Sequence, residues 1–215
     1  MNYELIDTGG SRSFPAPHDL LARAAGEGEA IVIIGAEAAS ALGKLPAAER
    51  YSVVLVELFD ECLGVHTGES RGEEGSHVLG FARFRLGNAD PTALVEVVRQ
   101  PRSSDAAIAA AREIFEGAGL QVAVCGDFAG RIVDRLVRSY YNAALRRLDE
   151  GLATADDLDK TLRLGLGYPE GPIALLERTG LEHHFDVTRK LFEAYGDPAY
   201  APARRARVAK MRKRT

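Results

Sequence analysis

The apolar residues change their spacing once, near Gly130, and that change divides the chain. Upstream they come in short β-branched runs, at residues 29–35, 52–58, 76–84, 93–99 and 120–125. Runs of this length, bounded by glycine and polar residues, read as strands; Ile31-Val32-Ile33-Ile34 reads as one covered on both faces, as in a parallel sheet. Downstream, Leu136, Tyr140, Ala143, Ala144 and Leu148 recur at three- and four-residue steps, the period of a helix with one buried stripe. The expected fold is therefore α/β followed by all-α. Helices are expected near residues 19–25, 36–42 and 104–116, and then at 132–150, 155–164, 172–178 and 182–195. Thr154 and Ser104 suit N-caps, and Pro172 suits a first helical position.

Four segments follow. Residues 1–18, with Gly9-Gly10, Pro15 and Pro17, read as an irregular arm. Residues 19–129 read as the α/β domain and 130–202 as the helical one. Residues 203–215 form a tail with seven basic residues and no acid; with a net charge of −4 overall, the rest of the chain carries −11. No aromatic residue interleaves the tail, so it reads as a solvated terminus and nucleic acid is not expected as a partner. The stretch 60–76 is rich in Gly, Glu and His and reads as a loop.

With 46% hydrophobic and 27% charged residues, the chain has the balance of a soluble globular protein. No apolar run is long enough to span a bilayer. The first residues lack a basic start followed by an apolar stretch, so a cytoplasmic location is expected. Cys62 and Cys125 show neither CxxC spacing nor an assignable base, so neither a metal site nor a catalytic thiol is expected.

The helical segment carries a series of motifs in order. They are Gly130-Arg131-Ile132-Val133-Asp134-Arg135-Leu136, Tyr141-Asn142-Ala143-Ala144, Asp149-Glu150-Gly151, Asp157-Leu158-Asp159, Arg163-Leu164-Gly165-Leu166-Gly167-Tyr168-Pro169-Glu170-Gly171-Pro172, and Gly196-Asp197-Pro198. Together they resemble the C-terminal domain of the 3-hydroxyacyl-CoA dehydrogenase family. Leu94-Val95-Glu96-Val97-Val98-Arg99 resembles the family's strand that precedes it. The resemblance implies a truncated Rossmann-like sheet followed by a helical domain that supplies a dimer interface and one wall of a substrate cleft.

It also implies three chemical requirements: a dinucleotide site, a histidine base oriented by a glutamate, and an asparagine near the carbonyl. The family's glycine turn after the first strand is read here at Gly35-Ala36-Glu37-Ala38-Ala39-Ser40, where only Gly35 is kept. Glu37 at the second glycine would oppose a pyrophosphate by about 4 kcal/mol. Only 45 residues separate Gly35 from Gly80, too few for both mononucleotide halves. The histidine position falls on Ala82 or, counted without a gap from Glu96, on Phe84. Glu96 is kept; without its partner it reads as a strand carboxylate bonded locally or facing solvent. Asp134 stands at the asparagine position and is expected to pair with Arg131, Arg135 or Arg138. His66, His77, His183 and His184 show no ligand spacing.

The expectation is a non-catalytic member of the family that holds no cofactor. Its expected partner is a second copy of itself or a catalytic dehydrogenase. Two alternatives stand beside it: an active NAD-dependent enzyme, and an acyl-CoA-binding module using Arg83, Arg85 and Arg99.

Overall fold

The computed structural model describes residues 1–68 and 76–213. The chain divides into two compact units. One comprises Met1–Arg85 and Pro91–Arg131; the other comprises Leu86–Asp90 and the chain from Ile132 onward. The short 86–90 connection thus belongs with the helices, where Asn88 N donates to Thr179 O at 3.0 Å.

The first unit is built on six strands: β1 Tyr3–Asp7, β2 Ala30–Ile34, β3 Val53–Glu57, β4 Val78–Arg83, β5 Leu94–Arg99 and β6 Gln121–Gly126. They lie side by side in sequence order. β1 to β4 are parallel, β4 and β5 antiparallel, β5 and β6 parallel. Every residue of β2 and β3 is buried, which explains their unbroken apolar runs. α1 Asp19–Ala22 and α4 Asp105–Gly117 cover one face through Leu20, Ala107, Ala111 and Phe115. α2 Ala38–Gly43 covers the other, beside Ile31, Ile33, Val54 and Val56. α3 Gly64–Thr67 follows β3. The loop expected over 60–76 contains α3 and falls in part on 69–75, outside the described residues.

Residues 1–18 are not an irregular arm. Tyr3–Asp7 pairs with β2 as an edge strand, and the buried Tyr3 hydroxyl donates to Leu20 O at 2.5 Å. The strand has only five residues, Leu5 packing against one core cluster and Ile6 against the other, and the glycines and prolines after it dominate the reading.

The second unit holds α5 Val133–Asp149, α6 Ala155–Leu166, α7 Pro172–Thr179, α8 Leu181–Tyr195 and α9 Arg204–Arg212. Thr154 caps α6 by accepting from Asp157 N. Pro172 opens α7, whose first amides, Ile173 N and Ala174 N, donate to the Asp159 carboxylate at 2.9 and 2.8 Å. The basic tail is a helix rather than a frayed terminus. Ala206 is fully buried, Arg205 pairs with Asp149 at 2.7 Å, Lys210 pairs with Asp186 at 2.6 Å, and Lys213 pairs with Glu182. Acids on α5 and α8 thus hold cations that, read alone, look solvated.

Candidate functional site

The strand register decides where a base would stand. Ala82 on β4 lies directly opposite Glu96 on β5. Opposed residues of an antiparallel pair have Cβ atoms roughly 5 Å apart. Arg83 already faces Val95, so Phe84 falls outside that pair. An alanine, 5% exposed, therefore faces a glutamate that is 2% exposed, and no imidazole opposes this carboxylate. Glu96 is buried, which removes the solvent-facing reading. It adjoins β6 at Ala123, and near it the Cys125 thiol is pushed up to about 11, first by burial and then by the Glu96 carboxylate. A thiol so shifted is protonated at neutral pH and is no nucleophile.

The histidines serve elsewhere. His18 Nδ1 accepts from Leu20 N at the start of α1, His66 contacts Glu61 at 3.2 Å, and His77 contacts Ala48 O at 3.1 Å. His183 lies 3.5 Å from Glu182.

In an open α/β sheet a dinucleotide sits outside the carboxyl ends of the parallel strands, where the strand order reverses. Here the described strands never reverse. Their carboxyl ends are also crossed by the chain itself. From the end of β1, Thr8 N donates to Ile34 O and Ala36 N to Gly9 O. Ser13 N then donates to Glu57 Oε1 at 2.7 Å, and Arg83 N donates to Ser13 Oγ at 3.2 Å. The Arg83 guanidinium donates to Ser13 O at 2.9 Å and lies over the Phe14 ring. Phe14 packs in the core, 6.3 Å from Phe81 between ring centroids. Residues 8–14 thus form a strap over the ends of β1 to β4.

Glu57 anchors the strap. It ends β3, is 1% exposed, and its second oxygen accepts from Gly35 N at 2.7 Å. Backbone N–H groups converging on an anion are what a phosphate cradle supplies. In this chain an internal carboxylate already takes two of them. The assignment of Gly35 to the turn after the first strand is accordingly corrected: that strand is β1, followed by Gly9 and Gly10 at φ +80° and +67°. Gly35 follows β2 at φ +105°, and a Cβ there would lie 2.5 Å from Gly9 O. Its glycine lets the strap approach. The acid at this edge is likewise Glu57, not Glu37, which is exposed and donates its backbone N–H to Thr8 Oγ1. These residues do not fit a dinucleotide.

Of the arginines expected to gather, Arg83 and Arg99 do not. Arg83 and Arg99 end two antiparallel strands and so lie at opposite ends of the β4–β5 pair. Arg83 is spent on Ser13, Pro91 and Thr92 carbonyls, and Arg99 on Ser103 O. Beside Arg99, a cavity of about 470 Å³ opens between the ends of β5 and β6, lined also by Gln100, Cys62, Cys125, Asp127 and Phe128. Asp127 is committed there, accepting from Leu63 N, Gly64 N and Gln100 Nε2. Among the described residues no group of His, Cys, Asp and Glu could hold a metal ion.

In the helical unit Asp134 pairs with Arg138 at 2.6 Å, one turn apart and both buried. Sequence spacing could find that pair; it could not find what completes it. Arg138 Nη1 meets His184 Nδ1 at 3.2 Å, and His184 Nε2 meets Asn142 Oδ1 at 3.0 Å. Asn142 Nδ2 donates to Ala199 O and Ala201 O, and its oxygen also accepts from Ala203 N. Burial, then the Arg138 charge, holds His184 well below the usual imidazole range, so it is neutral. The network ties α5, α8 and the approach to α9 together.

Comparison with known proteins follows the same division. The family model of the 3-hydroxyacyl-CoA dehydrogenase C-terminal domain matches residues 130–213. A 3-hydroxybutyryl-CoA dehydrogenase of Mycobacterium tuberculosis is 36% identical over 131 residues, 60% of this chain and 45% of the relative. The mitochondrial hydroxyacyl-coenzyme A dehydrogenase of Sus scrofa is 34% identical over 123 residues, 53% and 39% of the two chains. The chain thus spans less than half the length of these curated relatives. Among solved structures, (S)-3-hydroxybutyryl-CoA dehydrogenase PaaH1 from Ralstonia eutropha superposes with a TM-score of 0.72 at 24% identity, over 87% of this chain and 70% of that one. FadB2 of M. tuberculosis gives 0.71 at 24%, over 87% and 67%. The fold is theirs, and the chain resembles the 3-hydroxyacyl-CoA dehydrogenase family, most directly through residues 130–213.

Proposed function

We propose that this chain is a non-catalytic relative of the 3-hydroxyacyl-CoA dehydrogenases, cytoplasmic and without NAD, that serves acyl-CoA metabolism by association. Its helical unit docks, either on a second copy or on a catalytic dehydrogenase. One observation carries the reading: the N–H groups at the strand ends close on Glu57 through the strap, while alanine faces Glu96. Binding a dinucleotide would require displacing the strap and leaving a buried carboxylate without its donors. Hydrogen bonds to a charged group contribute roughly 1.5–3 kcal/mol each, so the two cost about 3–6 kcal/mol to break. The active-enzyme alternative has no base at Ala82, and the acyl-CoA alternative loses its converging arginines.

The test is paired. NADH fluorescence titration and an acetoacetyl-CoA reduction assay are run on a sample shown folded by circular dichroism. Neither saturable binding at millimolar NADH nor turnover above background is expected; either one overturns the non-catalytic reading. Co-purification with a full-length dehydrogenase, or self-association, is expected. A solitary monomer at micromolar concentration that retains no dehydrogenase ends the docking role.

A further inference from the structure

Six of the ten residues from Arg204 to Lys213 are cations, and the fold divides them three and three. Arg205, Lys210 and Lys213 turn inward, where Asp149, Asp186 and Glu182 hold them. Arg204, Arg207 and Arg212 are exposed. Among the described residues no carboxylate pairs with Arg204 or Arg207. Two apolar side chains stand among these arginines, Val208 at 42% exposure and Met211 at 50%. Counted from Arg204, the five residues fall at i, i+3, i+4, i+7 and i+8, the positions of one helical face. The buried Ala206 lies on the opposite side.

Such a face fits an anionic surface with an apolar layer beneath it. Arginine stems are apolar and their heads charged, so they lie along hydrocarbon while holding phosphates. Val208 and Met211 reach below the level of those heads, as the apolar side of an interfacial helix does. A nucleic acid would use the arginines but not the apolar pair, and this face has no aromatic ring on which bases could stack. The net charge of −4 does not prevent the contact. At physiological salt a charge is felt over about 8 Å, so a membrane meets the α9 face and not the charge of the whole chain.

We propose that the outer face of α9 binds the surface of an anionic phospholipid membrane. Arg204, Arg207 and Arg212 meet the headgroup phosphates, and Val208 and Met211 dip beneath them. The helix lies flat, since nine residues extend only about 14 Å against the roughly 30 Å of a hydrocarbon core. Three cations and two small anchors hold less tightly than a single myristoyl chain, about 10⁴ M⁻¹, so the attachment is reversible. It does not depend on the docking role given above to the helical unit.

Vesicle co-sedimentation tests this on the full chain. Binding to phosphatidylcholine vesicles containing about one-third phosphatidylserine is expected, half-complete at roughly millimolar lipid, with none to phosphatidylcholine alone. Raising salt from about 0.05 to 0.5 M should weaken it by about tenfold or more. Arg204→Gln and Arg207→Gln in one chain, at exposed positions without ion pairs, should weaken it by about thirtyfold, ~2 kcal/mol. Arg204→Lys with Arg207→Lys, which keeps both charges, should retain it. Met211→Ser should weaken it by about threefold and leave the salt dependence unchanged. Circular dichroism confirms that each variant is folded. Equal binding to neutral vesicles, or anionic binding indifferent to the two glutamines, overturns the proposal. So does the absence of binding at roughly tenfold higher lipid. Capture by polyglutamate or single-stranded DNA without binding to vesicles also overturns it, and assigns the face to a different partner.

Discussion

The two units both satisfy polar groups internally, but they differ in where those groups lie and in the leucines left outside. In the sheet unit, the positions where chemistry would occur are closed by the chain's own atoms: Glu57 by Ser13 and Gly35, Asp127 by the first turn of α3, Arg83 by the strap. In the helical unit, polar groups close into an internal network, while Leu136, Leu152, Leu164 and Leu166 stay outside. A unit whose polar edge is satisfied internally has little left to offer a ligand. A unit whose apolar residues face outward has something left for a partner.

The largest expected effect falls on the helical unit. Arg138→Ala leaves Asp134 as an uncompensated buried charge, at a cost of roughly 3–5 kcal/mol. Hydrogen exchange should quicken across α5 and α8 while β2 and β3 keep their protection; equal loss in both units would erase the distinction. The counterpart in the sheet unit is Gly35→Ala. Positive φ and the crowding against Gly9 should cost about 2 kcal/mol or more, read by urea unfolding, with exchange rising first in residues 8–14.

A pH series sharpens the contrast further. His184 has a folded pKa well below the unfolded value, so the unfolded chain binds the extra proton. The stability this contributes is present above about pH 6.5 and is lost as pH falls from there toward the folded value. Arg138 and Asp134 on α5 are the charged groups of this network; Asn142 and Thr188 are its neutral members. His184→Gln should flatten the helical unit's acid sensitivity between pH 6.5 and 5, and an unchanged slope would assign it elsewhere. A smaller question is what a base opposite Glu96 would do by itself. Ala82→His places an imidazole opposite Glu96, and acetoacetyl-CoA reduction is still expected at background, because the strap remains. Measurable turnover would show that the sheet unit is open after all. Smallest of all, Cys125 should resist iodoacetamide at pH 8, as its thiol lies near 11.

β2 to β6 and the long helices were legible because burial of their faces leaves a pattern in the sequence. β1 was not, since an edge strand of five residues followed by Gly9-Gly10 leaves almost none. Which residue faces Glu96 was not legible: choosing Ala82 over Phe84 required the antiparallel register. Asp134–Arg138 lay within one helical turn and could be read. Glu57 fell inside the expected strand 52–58 without a signal of its own, because Ser13 is 44 residues away and no local pattern joins them. His184, in the run Glu182-His183-His184, looked like a hydrophilic helix start for the same reason, its partner Asn142 being 42 residues distant.

Strands that lie in sequence order also shape how this sheet can be made. Each new strand finds its neighbour already in place, so the chain closes one modest loop at a time and never waits for a distant segment to fill a gap. During synthesis the sheet can grow as a scroll unrolls, from its first edge inward. A sheet whose opening strand ends up in the middle must instead leave one flank of that strand bare until later residues emerge. In this chain the flank of the opening strand that stays bare during growth is the finished sheet's own edge.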